Sequence, residues 1–392
     1  MKFASRLDRF GKEIFTLLDE KKLAVERTGK KIYNMSIGTP DFEPPGYVKE
    51  ALKSAADEPD AWKYPLYDLP ELLDAVCAYY DRRFSASIKK EEITSVCGTQ
   101  TGLGYVCLAL CDPQDVVLLP DPCYPGFEAA AYMADAAISY YPLLRENAFL
   151  PDLAGIDEAT AKAAKLIIIN LPSNPVGAVA REGIYEELIA WAKEYDVCVI
   201  HDNAYSDIIY DGNTGASFLS FPGAKEVGAE FFSLSKSFNV TGARIGFLIG
   251  RKDVVDAVRM FREHVDFGMF IPLQRAAIAA LSADGDDTKR QCAVYEERRD
   301  ILCAGLRELG WDVPDSGGSM FVWAPLPDGF SDSMAFCLAL LEKTGVLCAP
   351  GASFGPHGEG YVRFALVIDK EEIKAALAGI ANSGLLQKCR II

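Results

Sequence analysis

The strongest constraint on the fold is a set of apolar runs without polar alternation: Val116-Val117-Leu118-Leu119-Pro120, Leu166-Ile167-Ile168-Ile169-Asn170 and Val197-Cys198-Val199-Ile200. A strand with one wet face alternates apolar and polar side chains, whereas an all-apolar strand is covered on both faces. The runs end in polar or proline-containing loops and alternate with helical segments. That order predicts an α/β fold, a three-layer sandwich with a mostly parallel sheet between helices. In open sheets of this kind ligands collect beyond the carboxyl ends of the strands. The residues that follow each run are therefore the first place to look for chemistry.

The chain has 392 residues, beyond the roughly 250 to 300 at which a single core stops growing, so two lobes are expected. Lys+Arg 40 against Asp+Glu 56 gives a net charge of -16, which speaks against nucleic acid as a partner. The eleven cysteines form no Cys-x-x-Cys pair and there are three histidines, so no metal site is expected. So many unpaired thiols suit a reducing, cytoplasmic setting. The first residues carry charges every few positions and no apolar core of a signal peptide. No uninterrupted apolar stretch reaches about 18 residues, so no membrane span is expected.

Five stretches carry candidate chemistry. Val96-Cys97-Gly98-Thr99-Gln100 has the form strand, glycine turn, helix start, which aims free backbone N–H groups at an anion. Asp121-Pro122-Cys123-Tyr124 puts at a strand end a tyrosine that can either stack on an aromatic ring or fill the loop. Pro172-Ser173-Asn174-Pro175-Val176-Gly177 and His201-Asp202-Asn203-Ala204-Tyr205 close two further runs, and a carboxylate at such a strand end needs a partner to offset its desolvation. The fifth, Ser233-Leu234-Ser235-Lys236, continues to Arg244-Ile245-Gly246. Its serines and arginine suit a phosphate, and its lysine suits a carbonyl if burial lowers its pKa. A lone Ser-x-x-Lys reads first as an exposed polar loop with a surface lysine.

Elsewhere the pattern predicts an amphipathic helix up to about Arg27, with Ile14, Leu17 and Leu18 at helical spacing, and a short strand at Met35–Phe42 running into a turn. Helices are expected at Gly46–Ala56 and up to Phe84, and from about Thr288 to Leu309. A second lobe is expected to hold strands near Met320–Trp323 and Gly360–Leu366 and helices near Ser333–Thr344 and Lys370–Ala378.

Three pieces in order, Asn174-Pro175-x-Gly177, Asp202-x-x-Tyr205 and Ser233-x-Ser235-Lys236 with Arg244-x-Gly246, resemble fold type I pyridoxal-phosphate enzymes, specifically the class I/II aminotransferases. Tyr64-Pro65-x-Tyr67, Asp121-Pro122-x-Tyr124-Pro125 and Gly360-Tyr361-Val362-Arg363-Phe364-Ala365-Leu366 look like the branch that holds LL-diaminopimelate, alanine and aspartate aminotransferases. The resemblance implies a large pyridoxal-phosphate-binding domain at 46–285 and a small α+β domain from 1–45 and 286–392. It implies exchange of an amino group between an α-amino acid and a 2-oxo acid, the alternative on the same scaffold being a lyase, either a β-lyase or a β-decarboxylase. Lys236 would hold the cofactor as a Schiff base and move the α-proton, and Asp202 would pair with the ring nitrogen. Asn174 and Tyr205 would bond the ring oxygen, and Tyr124 would stack on the ring. Gly98, Thr99, Gln100, Ser233, Ser235 and Arg244 would hold the phosphate. Arg363, with Asn174 and the backbone at Gly38, would take the substrate carboxylate. Tyr64 would reach the phosphate of a neighbouring subunit, which implies a homodimer with shared sites.

The chain also departs from that pattern. Tyr67-Asp68-Leu69-Pro70 lacks the glycine usual before Leu-Pro, Gln100 stands where relatives often carry lysine, and Ala243 stands where they often carry tryptophan. The segment His264–Phe270 has no arginine, so a dicarboxylate-specific site is not supported, and the sequence does not say where Arg262 and His264 point.

Overall fold

A computed structural model of the chain describes residues 1–10 and 14–386. Its centre is a seven-stranded sheet made of β2 (Ile93–Val96), β3 (Val116–Asp121), β4 (Ala137–Pro142), β5 (Ala164–Asn170), β6 (Cys198–Asp202), β7 (Gly228–Ser233) and β8 (Gly246–Gly250), in the spatial order β2-β8-β7-β6-β5-β3-β4. All neighbours run parallel except β8, which is antiparallel to both β2 and β7. Successive residues of the apolar runs enter opposite layers. Leu118, Ile167, Ile169, Val199 and Phe232 pack into one apolar cluster with the helices Pro70–Phe84 and Ile184–Tyr195. Val117, Leu119, Leu166, Ile168, Ile200 and Phe231 pack into another with Thr99–Leu110 and Lys252–Val265. The period-2 alternation is thus present, but both sides are apolar because helices cover both. This is the expected α/β sandwich.

A smaller three-stranded antiparallel sheet, in the order β11-β12-β9, is built from β9 (Phe321–Pro325), β11 (Ala349–Pro350) and β12 (Tyr361–Ala365). The helices Ser333–Thr344 and Lys370–Asn382 accompany it, and the long helix Asp286–Glu308 leads into it. A third apolar cluster, which includes Met35, Tyr295, Trp311, Phe336 and Phe364, lies here.

Some local expectations are corrected. The strand β1 falls at Tyr33–Asn34, pairing in parallel with β10 (Val346–Leu347), and Met35–Phe42 is not a strand. The backbone groups of that stretch go elsewhere: Met35 N–H donates to the Leu347 carbonyl, and Ser36 O accepts from Arg363. The amino-terminal helix is two pieces, a 3-10 turn at Ser5–Arg9 and an α-helix at Ile14–Glu26, with part of the predicted span, at 11–13, outside the described residues. Leu18 is buried with Leu341 and Leu347, whereas Leu17 is 41% exposed. Nothing in the sequence pattern announced β4, a half-exposed edge strand of mixed aromatic and polar residues. Among the described residues no helix is long and apolar enough to cross a membrane.

Candidate active site

A cavity of about 850 Å³ opens where the carboxyl edge of the large sheet faces the small one. Register sets its floor, because Asn170 lies opposite Asp202 and Ser233 opposite Gly246. The lysine segment connects β7 to β8 at that same edge. Its one-turn helix, Leu234–Ser237, is capped by the Ser233 hydroxyl, which accepts the N–H of Ser235. Ser237 donates to Asp207 (2.7 Å) and Gln291 donates to the Lys236 carbonyl (2.8 Å), so the turn is fixed from two sides. Lys236 is not a surface lysine. Its Nζ donates to the Gly38 carbonyl at 2.6 Å, and burial, followed by the charges of Arg363 and Arg244, pushes its pKa down to about 8.

Asp202 is buried, and its Oδ1 finds no hydrogen-bond partner among the described residues. Burial lifts its pKa to about 6, against the pull of His201, the Ala204 N–H and Lys236. Tyr205 lies edge-on to Phe321 at 5.7 Å between ring centres, and burial pushes its phenol well up. Asn174 Oδ1 accepts from Arg363 Nη1 (2.7 Å), while Arg363 Nη2 donates to the Ser36 carbonyl (2.6 Å). Arg363 sits on the central strand of the small sheet and is 4% exposed, with Phe321 and Phe354 against its guanidinium at 4.2 and 4.6 Å. Burial draws its pKa down to about 10, and its Nε is a second buried polar atom without a partner among the described residues.

The anion corner is formed by the start of helix Thr99–Leu110 and by Arg244. Gly98 caps that helix at φ 84, and a Cβ there would stand 2.1 Å from Arg244 Nη2. Arg244 takes the left-handed conformation, φ 55, with Nη1 donating to the Thr241 carbonyl, and β8 starts at Gly246. Thr99, Gln100, Ser233, Ser235 and Arg244 all line the cavity, and the Tyr124 hydroxyl donates to Gln100 Oε1 (2.8 Å). Cys123 N–H donates to the Phe354 carbonyl (2.7 Å), and Asp121 accepts from the backbone and ring of His357, so the Tyr124 loop and the Phe354 loop are tied together.

Of the expected site residues, the structure does not bring Tyr64 here. It is 79% exposed, next to Phe267. Arg262 is buried against Thr94 and Ser95 and His264 is exposed, and neither lines the cavity. Sequence reasoning missed Arg9, Phe10, Glu128 and Tyr132, which line the far wall. Glu128 and Tyr132 follow Tyr124 at four and eight residues, the spacing of one helix face, and that signal was available.

The donors and acceptors fit pyridoxal phosphate: an anion corner of helix N–H groups and Arg244, a buried carboxylate at Asp202 with one oxygen left for a cationic ring nitrogen, and a low-pKa amine at Lys236 for an aldehyde. The model for "Aminotransferase class I and II" matches residues 30–380. The chain belongs to that family. This aminotransferase is 38% identical to an LL-diaminopimelate aminotransferase of Halothermothrix orenii, over 98% of this chain and 99% of that one. It is 39% identical to one of Gloeobacter violaceus with the same coverage. Among solved structures, substrate-bound BacF from Bacillus subtilis superposes with a TM-score of 0.93 at 37% identity, covering 97% of this chain and 98% of that one. A probable N-succinyldiaminopimelate aminotransferase from Thermus thermophilus gives 0.90 at 34%, covering 94% and 99%. These matches make the chain a pyridoxal-phosphate-dependent transaminase and do not favour the lyase alternative.

Proposed function

We propose that this aminotransferase works on LL-diaminopimelate or a related α-amino acid with a polar far end, exchanging its amino group with a 2-oxo acid. One observation carries the reading: Lys236, Asp202 and Arg363 converge on one cavity, two of them with a buried polar atom that finds no partner among the described residues. Pyridoxal phosphate, when bound, draws electrons from the substrate's α-carbon. The chain's own residues do the rest. Arg363 grips the α-carboxylate through its planar fork, oriented by Asn174 and helped by the backbone at Gly38. Lys236 Nζ takes the proton leaving Cα, for which a pKa near 8 is well matched at neutral pH. Asp202 would pair with the ring nitrogen, Asn174 and Tyr205 would bond the ring oxygen, and Tyr124 would stack on the ring. Gly98, Thr99, Gln100, Ser233, Ser235 and Arg244 would hold the phosphate.

The relatives' names point to diaminopimelate, and the polar far wall of Arg9 and Glu128 suits a zwitterionic end. A half-reaction screen tests this. Holoenzyme is mixed with diaminopimelate, alanine, aspartate and other amino acids singly, and the cofactor's absorbance is followed. Diaminopimelate is expected to discharge it fastest. If no amino acid does, the reading fails.

Gly98→Ala supplies a second test. The added Cβ at a positive φ must push Arg244 aside, so pyridoxal phosphate is expected to bind about 10- to 100-fold more weakly, the loss of one charge-assisted bond to phosphate. Fluorescence titration of the cofactor-free protein would show it, and unchanged binding would remove Arg244 from the phosphate site.

The proposal includes a homodimer. Trp62, Tyr64, Leu66, Tyr67 and Phe267 form an exposed apolar group, which suits a second copy and the cross-subunit task of Tyr64. It also includes the division into a large domain at 46–285 and a small one at 1–45 and 286–392, supported by an apolar cluster beneath the small sheet that draws mainly on 286–392 and takes in Ala204, Tyr205, Ile208 and Tyr210 where the two lobes meet. The ten described cysteines are free, which suits a cytoplasmic location.

A further inference from the structure

Behind the cavity, one face of the long helix Asp286–Glu308 reaches both the lysine turn and the stretch around Gly38. Gln291, Tyr295 and Arg298 follow one another at four and three residues, so they form a row on that face roughly 10 Å long. All three are buried, and none lines the cavity. At one end Gln291 Nε2 donates to the Lys236 carbonyl (2.8 Å), while its Oε1 accepts from Asn239 Nδ2 (2.9 Å). At the other end the Arg298 guanidinium forks onto Asp41, Nη1 to Oδ1 and Nη2 to Oδ2 at 2.7 Å each, and Nη1 also donates to the Leu366 carbonyl (2.8 Å). Between them Tyr295 meets the ring of Phe42 edge-on, 5.2 Å between centres. Asp41 ends a strip on which the cavity depends. Residues 35–41 belong to no helix or strand, and the strip is fixed first at Met35, by the Leu347 carbonyl and the Ala365 N–H. Beyond that point the Ser36 carbonyl accepts from Arg363 Nη2 and the Gly38 carbonyl from Lys236 Nζ, each at 2.6 Å. The Arg298 fork closes the far end three residues after Gly38. A bidentate pair fixes direction as well as distance, which a single contact does not.

We propose that this helix face sets the working distance between the lysine turn and the strip, with Arg298 and Gln291 as positioning residues for Lys236 and, through the Ser36 carbonyl, for Arg363. This rests on the reading of Lys236 and Arg363 given above. The helix holds Lys236 twice, by its main chain through Gln291 and by the carbonyl that receives its amine through the Arg298–Asp41 pair. Replacing such a pair by apolar side chains is often neutral for stability, so what the fork supplies here is placement. Cut the fork, and the Gly38 and Ser36 carbonyls are anchored from the Met35 side alone.

The test uses the double variant Asp41→Asn/Arg298→Met, which removes both charges and strands neither, and Gln291→Met, which cuts the other end of the row. Cofactor-free wild type and variants are treated with cyanate, and modification of Lys236 is followed by peptide mass spectrometry, with the other lysines of the same digest as controls. The Gly38 carbonyl favours the charged amine, so its retreat frees the reactive one. Lys236 is expected to react about 5- to 10-fold faster in both variants, the effect of one lost hydrogen bond, while the control lysines keep their rates. Steady-state kinetics of the holoenzymes give the second readout. The double variant should raise KM for the amino acid about 10-fold as well as lower kcat, because Arg363 loses its Ser36 partner, whereas Gln291→Met should lower kcat alone. If Lys236 keeps its wild-type reactivity in both variants, or if the double variant loses kcat at unchanged KM as a smaller folded fraction would, the row is structural only and the proposal is overturned. If pyridoxal phosphate does not protect Lys236 from cyanate in the wild type, the reading of Lys236 itself is wrong. Should the double variant not fold, the reactivity of Lys236 in Gln291→Met decides.

Discussion

Holoenzyme with Lys236→Ala is expected to lose transamination by about 10⁴-fold or more, since it loses both the amine that takes up the cofactor aldehyde and the base for the α-proton. Lys236→Arg should be as inactive, because a guanidinium keeps its charge and cannot serve as a base. Single-turnover absorbance with diaminopimelate would measure this, and activity within tenfold of wild type would disprove the assignment. A pH effect accompanies it. The Lys236 amine sits at about 8 in the folded chain against an ordinary 10.5, so the cofactor-free protein should take up pyridoxal phosphate faster as pH rises through 8. Between those two values the unfolded chain holds the proton and the folded chain does not. Stability of the cofactor-free protein therefore rises with pH in that window, by on the order of 3 kcal/mol from this group alone. The variant Lys236→Ala should lack that rise.

Arg363→Ala should lower kcat/KM by about 10²- to 10³-fold, the expected cost of leaving a buried substrate carboxylate unpaired. Arg363→Lys should recover only part of it, because a point charge cannot reproduce the bidentate fork. The stability effect runs the other way. Arg363 is a buried cation whose polar partners are the Asn174 side chain and the Ser36 carbonyl, with no carboxylate among the described residues, and it is flanked by Phe321 and Phe354. Arg363→Met keeps the volume and removes the desolvated charge, so its cofactor-free form should melt no lower than wild type while being inactive. Thermal unfolding alongside steady-state kinetics would separate the two. A variant that is both inactive and much less stable would make Arg363 a structural residue.

The sheet and its chemistry were legible because both rest on short-range signals. Covered strands are largely apolar, and Asn170, Asp202 and Ser233 close three of them with polar side chains at the end where a ligand can use them. The lysine turn was legible for the same reason, with its serines serving as cap and anchor. What the sequence hid depends on distant contacts. β4 is an edge strand whose partner, β3, dictates it more than its own residues do. Met35–Phe42 resembles a strand, but its backbone is claimed by Leu347 and Arg363, both far along the chain. The far wall of the cavity joins Arg9 and Phe10 to a helix that begins near residue 125, a meeting that only the folded chain can show.

The hydrogen bond from Cys123 to Phe354, with the Asp121–His357 contact beside it, has a consequence for anyone who would redesign specificity. Tyr124 lies one residue from one end of that tie and Phe354 is its other end, against Arg363. Substitutions at the two aromatic positions should not add. Their coupling should fall within about 0.5 to 3 kcal/mol, the range for residues that share a network. A library that varies the two positions one at a time would discard pairs that succeed only together.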